Sequence, residues 1–137
     1  MTVRFADAEP NGLADLVGRL IEANLERRPE RRNLLRPAVV ELSAWDADVR
    51  ATVVLSRSAV EISNGAADRE PHLRVVARSE DLLELSTTPL RFGLPDAFDA
   101  RGRAVLRGIA TRRVRVSGMV RHPLRLSRFT RLLSVVA

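Results

Sequence analysis

At Pro37 the apolar pattern of this 137-residue chain changes period, and that change decides what the chain can fold into. Ahead of it, Leu13, Leu16, Val17, Leu20 and Ile21 recur at three- and four-residue spacing with Asp15, Arg19 and Glu22 between them. That spacing is the mark of an amphipathic helix. Asn11 is placed to cap it. Pro29 removes a backbone donor and restricts the residue before it, so the helix is expected to stop near Arg27. Residues 1–11 read as a loose lead-in. The run "ERRPERRNLLRP" reads as a solvated connector, with Leu34 and Leu35 docking onto the core.

Beyond Pro37 the period is two. "AVVELS" (38–43) and "VRATVVLS" (49–56) are rich in β-formers, joined by the short polar link "WDAD", and Val49, Ala51, Val53 and Leu55 fall on one face. "AVEIS" (59–63) ends at Asn64-Gly65, a strong turn signal. In "HLRVVAR" (72–78), Leu73, Val75 and Ala77 alternate with Arg74, Val76 and Arg78. Four strands of antiparallel type are thus expected in succession.

Ser79 is a good N-cap, with Glu80 and Asp81 suited to the positive end of a helix dipole, so "SEDLLELSTT" predicts a short helix stopped by Pro89. "PLRFGLP" is expected to be a loop. Asp96 can cap a further helical segment, "AFDARGRAVLRGIA", which Gly102 and Gly108 each weaken by about 1 kcal/mol relative to alanine. In "RRVRVSG", Val114 and Val116 alternate with Arg113 and Arg115, which predicts a fifth strand ended by Gly118. His122-Pro123 then starts a last helix. On its wheel Leu126, Phe129, Leu132, Leu133 and Val136 share one face, and Arg121, Arg125, Arg128 and Arg131 share the next.

Several classes of function are disfavoured by what the chain lacks. It has no cysteine, and its two histidines, His72 and His122, lack the paired spacing of a zinc site, so no metal and no cofactor are expected. No apolar run approaches the roughly twenty residues of a membrane span and the first residues lack a secretory apolar stretch, so the cytoplasm is the expected compartment. All 23 basic residues are arginine, which reads as coding bias before ligand recognition, and they are spread along the chain. With aromatics at 4%, the stacking platforms of single-stranded nucleic-acid binders are scarce, and nucleic acid is a disfavoured partner. No nucleophile elbow, nucleotide-binding glycine loop or Ser-His-Asp set is present. Asp46 and Asp48, or Asp96 and Asp99, sit in turns or at a helix start, where solvation and capping explain them. The chain reads as non-catalytic.

The order of helix, four strands, helix, further helical segment, strand and terminal helix, with "SEDLLELST" after the fourth strand and "RRVRVSGMVRHPLRLSRFTRLL" at the end, resembles the sterol carrier protein type 2 lipid-binding family. In that family an acidic helix of the form S-x-D-L-L-x-L follows a strand, and a basic strand leads into a leucine-rich last helix. Here "ATRRVRVSG" supplies the strand, with Ala110 or Thr111 where the family often has glycine. The likeness spans residues 13 to 137. "TTPLRFGLPDAFDA" is longer than the family's pattern, and the aromatic content is lower.

The resemblance implies a single α+β domain over residues 1–137, with helices on one face of a mainly antiparallel five-stranded sheet enclosing an apolar tunnel. It implies the binding or carriage of a sterol, a fatty acyl chain or a similar hydrophobic molecule. The lipid-binding positions that match the family are Leu82, Leu83 and Leu85 on the short helix, and Leu126, Phe129, Leu132 and Leu133 on the last one. Phe92, Phe98, Leu106, Ile109 and Met119 join them by their placement in the intervening segment. Each is equally the kind of residue that fills a core, and Met119 is a ready gap-filler. The stripe of Arg121, Arg125, Arg128 and Arg131 is either a solvated face or a peripheral contact with anionic membrane. The competing function is a filled-core interaction domain whose arginine-rich surface docks an acidic protein or nucleic acid.

Overall fold

The computed structural model describes residues 3–81, 90–91, 94–95, 115–118 and 120–134. Helix α1 spans Gly12–Arg27, as its spacing predicts. The Asn11 side chain accepts a hydrogen bond from the Ala14 N–H at 2.8 Å and donates to the Arg50 carbonyl at 2.8 Å, so one residue caps the helix and ties it to the sheet. The buried stripe is Leu13, Ala14, Val17, Gly18, Ile21, Asn24 and Leu25, with Leu16 rotated out to solvent. Small residues at 14 and 18 allow the backbone close to the sheet. A 3₁₀ helix, Pro29–Leu34, follows, and Leu34 and Leu35 dock on the core as expected.

Strands β1 (Val3–Phe5), β2 (Ala38–Ala44), β3 (Val49–Leu55), β4 (Val60–Asn64), β5 (Leu73–Ala77) and β8 (Arg115–Ser117) form one sheet in the order β1-β4-β3-β2-β5-β8. The intervening β6 (Leu90–Arg91) and β7 (Leu94–Pro95) pair with each other, a two-residue ribbon where the sequence predicts only a loop. The terminal helix α2 spans Pro123–Leu133, with Pro123 in its first turn as expected.

Two features correct the expected five-stranded, antiparallel sheet. The first is β1, in what reads as a loose lead-in: Val3, Arg4 and Phe5 pair in parallel with Val60, Glu61 and Ile62. Three residues are too few to show a period. The connection to α1 is also tethered, since Asp7 accepts from the Asn64 N–H at 2.7 Å and the Asn64 side chain donates to the Glu9 carbonyl at 3.0 Å. The second is that β5 lies beside β2, in parallel, instead of beside β4. From β4 the chain must cross three strand spacings, about 14 Å, and eight extended residues reach about 26 Å. The register helps, because Asn64 and Leu73 sit only two rungs apart, opposite Leu42 and Val40.

The pleat divides the sheet cleanly. Val3, Phe5, Val60, Ile62, Val53, Leu55, Val40, Leu42, Leu73 and Val75 point to the helix side and build the core. The opposite face carries Arg4 paired with Glu61, and Arg74 bonded to Glu41 at 2.5 Å. The β4–β5 link crosses that opposite face: the Thr52 hydroxyl donates to the Gly65 carbonyl at 2.9 Å, and Glu41 accepts from the Ala67 N–H at 3.1 Å. That covering explains why Thr52 and Glu41 are buried on a polar face.

Candidate functional site

Helix α1 packs chiefly over β1, β4 and β3. The same apolar face continues past it onto β2, β5 and β8, where register sets Leu42, Val75 and Val116 side by side, with Ala44 beside Ala77 on the next rung. Four of these five are fully buried and Val116 is half-buried. Helix α2 adds Leu126, Phe129 and Leu132 to the same core cluster, with Leu133 at its margin. Of the twelve apolar positions assigned to a ligand, these four lie on α2, three of them buried in the core and Leu133 packed against it. Leu82, Leu83, Leu85, Phe92, Phe98, Leu106, Ile109 and Met119, with the tunnel they would line, lie outside the described residues.

Two polar anchors hold the far end of α2, where helix carbonyls lack intrahelical partners. Asn24 of α1, 2% exposed, donates its amide to the Leu132 carbonyl at 2.8 Å. Arg31, 7% exposed, donates to the Ser134 carbonyl at 2.5 Å. A cation there also opposes the negative end of the helix dipole. Burial, and then the like charges of Arg28, Arg27 and Arg131, push the Arg31 guanidinium below its ordinary pKa. The sequence shows Arg31 only as part of a solvated run, and no local signal marks it as buried.

The near end of α2 meets the start of β5. His72 accepts the Val39 N–H on Nδ1 at 2.9 Å, so that nitrogen carries no proton. Its ring stands edge-on to His122 with centroids 5.1 Å apart. Burial, followed by the charges of Arg125, His122 and Arg69, lowers the His72 pKa. Arg125 reaches the Pro37 carbonyl at 3.2 Å and His122 Nδ1 at 3.0 Å. Within the arginine stripe, Arg121 and Arg131 are exposed, whereas Arg125 is half-buried and holds α2 to the start of β2, and Arg128 is half-buried too. Exposed instead are two apolar residues beside Arg121, Val120 at 91% and Leu124 at 67%.

Of the paired carboxylates of the sequence, Asp96 and Asp99 lie outside the described residues. Asp46 accepts the Ser79 N–H at 2.8 Å and its hydroxyl at 3.1 Å, which lowers its pKa and fixes the hairpin to the next segment. No group of three metal-ligating side chains occurs among the described residues. No described helix is long and apolar enough to cross a membrane. Among the described residues, a cleft of about 270 Å³ is bounded by Glu70, His72, Arg74 and Arg121, and another of about 610 Å³ lies between the 3₁₀ helix and α2.

No family model and no curated protein matches the sequence. Among solved structures, the chain is similar to one described as "UbiJ-SCP2 Ubiquinone synthesis protein", at 17% identity, covering 88% of this chain and 92% of that one with a TM-score of 0.61. It is also similar to part of a stereoselective inverting sec-alkylsulfatase from Pseudomonas sp., at 14% identity over 74% of this chain and a TM-score of 0.52. A double mutant of that sulfatase gives 0.51, and in both cases the likeness spans only 13% of the sulfatase chain. With helices on one face of a mixed sheet and this strand order, the fold of the chain is SCP2-like.

Proposed function

We propose that the protein is a non-catalytic binding module for a lipid or other hydrophobic small molecule, held between the β2–β5–β8 half of the sheet and the apolar stripe of α2. The observation that carries the reading is the run of Leu42, Val75, Ala77 and Val116 on the helix side of the sheet, beyond the strands that α1 principally covers. The likeness to a protein described by ubiquinone synthesis supports it, since ubiquinone is itself apolar. Each methylene removed from water contributes about 0.8 kcal/mol, so eight enclosed methylenes gain roughly 6 kcal/mol before binding costs. Exposed Val120 and Leu124 beside Arg121 suit a reversible contact with an anionic bilayer, from which such a ligand would be taken or to which it would be given.

Native mass spectrometry of protein purified from cells, together with displacement of a fluorescent fatty acid, tests the reading. Co-purified lipid, or saturable displacement by sterols or acyl chains, is the expected result. Neither signal across both ligand classes would overturn it.

A further inference from the structure

Helix α2 is fastened at both ends, and the two fastenings differ in how they respond to protons. At the far end the holders are the Asn24 amide, on the Leu132 carbonyl, and the Arg31 guanidinium, on the Ser134 carbonyl. Neither group changes charge in mild acid. At the near end the holders include two imidazoles. The His72 N–H donates to the Val39 carbonyl at 2.9 Å, and the Val39 N–H donates in return to His72 Nδ1 at 2.9 Å. The His72 ring stands edge-on to His122. The Arg125 guanidinium, which can only donate, reaches His122 Nδ1 at 3.0 Å and the Pro37 carbonyl at 3.2 Å. We propose that this joint is an acid-sensitive latch: a proton on the His72 ring frees the first turn of α2 from the sheet while the far end stays anchored, and the apolar site opens to release its ligand. The release of a ligand rests on the lipid reading, whereas the latch does not.

In the closed joint the Nδ1 lone pair is taken by the Val39 N–H, and an imidazolium would turn a second N–H against that donor. Val39 is buried, so leaving its N–H without an acceptor is costly. The charges around the ring oppose the proton as well. Arg125 and His122 face it from α2 and Arg69 from the β4–β5 link. Arg74 and Arg121 share the cleft beside it, and β8 brings Ser117 and Gly118, which carry no charge. Glu70 lines the same cleft but acts on Arg74, which it helps to keep charged. Burial first, and then Arg125, His122 and Arg69, hold the ring's pKa below the ordinary 6.5. A ring released to solvent regains the ordinary value. Above it the latch is fully held, and as pH falls through the depressed value the open form, which binds the proton more readily, gains population. The backbone of His72 is held by Val39 on β2 and by the close approach of Gly118 after β8, so the part free to yield is the first turn of α2. As that turn lifts, Leu126, the first buried residue of α2, is the first to lose its cover.

The chain contains no cysteine, so spin labels can be placed at chosen sites alone. One pair, Arg57→Cys between β3 and β4 with Leu124→Cys on α2, spans the latch; another, Glu26→Cys on α1 with Arg131→Cys on α2, spans the far end, and all four positions are exposed. Distances from pulsed electron paramagnetic resonance between pH 7.5 and 5.5 should show a second, longer population in the first pair that grows below pH 6.5 and reverses on neutralisation. The second pair should stay as it is. The His72 ring protons, followed by nuclear magnetic resonance, should titrate with the same midpoint. In His72→Asn, whose side-chain oxygen stands near the place of Nδ1 and takes no proton, the first pair should stay short throughout. Binding of a pyrene-labelled long-chain alcohol, whose head does not titrate, reads the consequence: its dissociation constant should rise severalfold over the same interval in the wild type and stay level in His72→Asn. A silent first pair, both pairs lengthening together, a midpoint apart from that of His72, or an undiminished response in His72→Asn overturns the latch. Opening with a level alcohol affinity overturns the release. The two readings fail separately, since opening without alcohol binding at any pH removes the lipid and keeps the latch, and alcohol binding with a silent first pair does the reverse.

Discussion

Two glycines with the same backbone twist make a controlled experiment in what a single methyl group does. Gly65, at φ 82°, follows β4, and a Cβ there would meet nothing within 4 Å. Gly118, at φ 88°, follows β8, and a Cβ there would lie 3.1 Å from the His72 carbonyl carbon and 3.5 Å from the Leu73 Cα, with the His72 oxygen closer still and well inside contact distance. Alanine in the left-handed region costs about 1–2 kcal/mol, offset by about 0.4–1 kcal/mol from the stiffer unfolded chain. Gly65→Ala should therefore destabilise by about 0.5–1 kcal/mol. Gly118→Ala carries the same conformational cost and must also move the His72 peptide or lift β8 off β5. Moving His72 disturbs its N–H bond to the Val39 carbonyl at 2.9 Å and the return bond from the Val39 N–H at 2.9 Å. At about 1 kcal/mol for each bond, the total approaches about 3 kcal/mol. Urea unfolding with an unchanged slope reads the difference directly. If the two variants agree within about 0.5 kcal/mol, the close approach of β8 to His72 is refuted.

The other predictions probe the joints of the fold. Asn24→Ala leaves the buried Leu132 carbonyl without its amide donor and should cost about 1–3 kcal/mol; an unchanged melting temperature would contradict the anchor. Because folding lowers the His72 pKa, the neutral ring is the folded form: its contribution is present above the ordinary value of 6.5 and is lost as pH falls through the depressed folded value. Urea midpoints from pH 7.5 to 5 should show this loss, smaller in His72→Gln. Burial alone would raise the Glu41 pKa, but the Arg74 side chain and the Ala67 N–H outweigh it and hold the carboxylate below 4.5. Its contribution is present above that value and lost as pH falls through the folded one, and Glu41→Ala should cost about 2 kcal/mol and speed amide exchange across residues 65–72. Finally, Leu124→Ser combined with Arg121→Gln should weaken co-sedimentation with anionic vesicles severalfold, with retention of fold; sedimentation equal to wild type would leave that face merely solvated.

What the sequence makes legible here is whatever its neighbours in the chain decide. Helix α1, the strands from Ala38 to Ala77, the Asn64-Gly65 turn and the His122-Pro123 start all follow from period and turn chemistry within a few residues. The pairing of β5 with β2 and of β1 with β4 does not, because nothing local tells a strand which edge it will meet. The same division runs through the sites. The apolar stripe of α2 is visible at its own helical spacing. The anchor of Arg31 on the Ser134 carbonyl is not, since the two residues stand about a hundred positions apart and the run around Arg31, taken alone, looks solvated.

The parallel pairing of β1 with β4 has a consequence for the order in which the molecule assembles. Residues 3–5 leave the ribosome well before their partners, residues 60–62, which come 57 positions later. The β2–β3 and β3–β4 hairpins close over short loops and form early, whereas joining β1 means closing a far longer one. The strand made earlier is thus the last piece of the β4 edge to be laid down, and until it arrives that edge stands open to any other strand that passes.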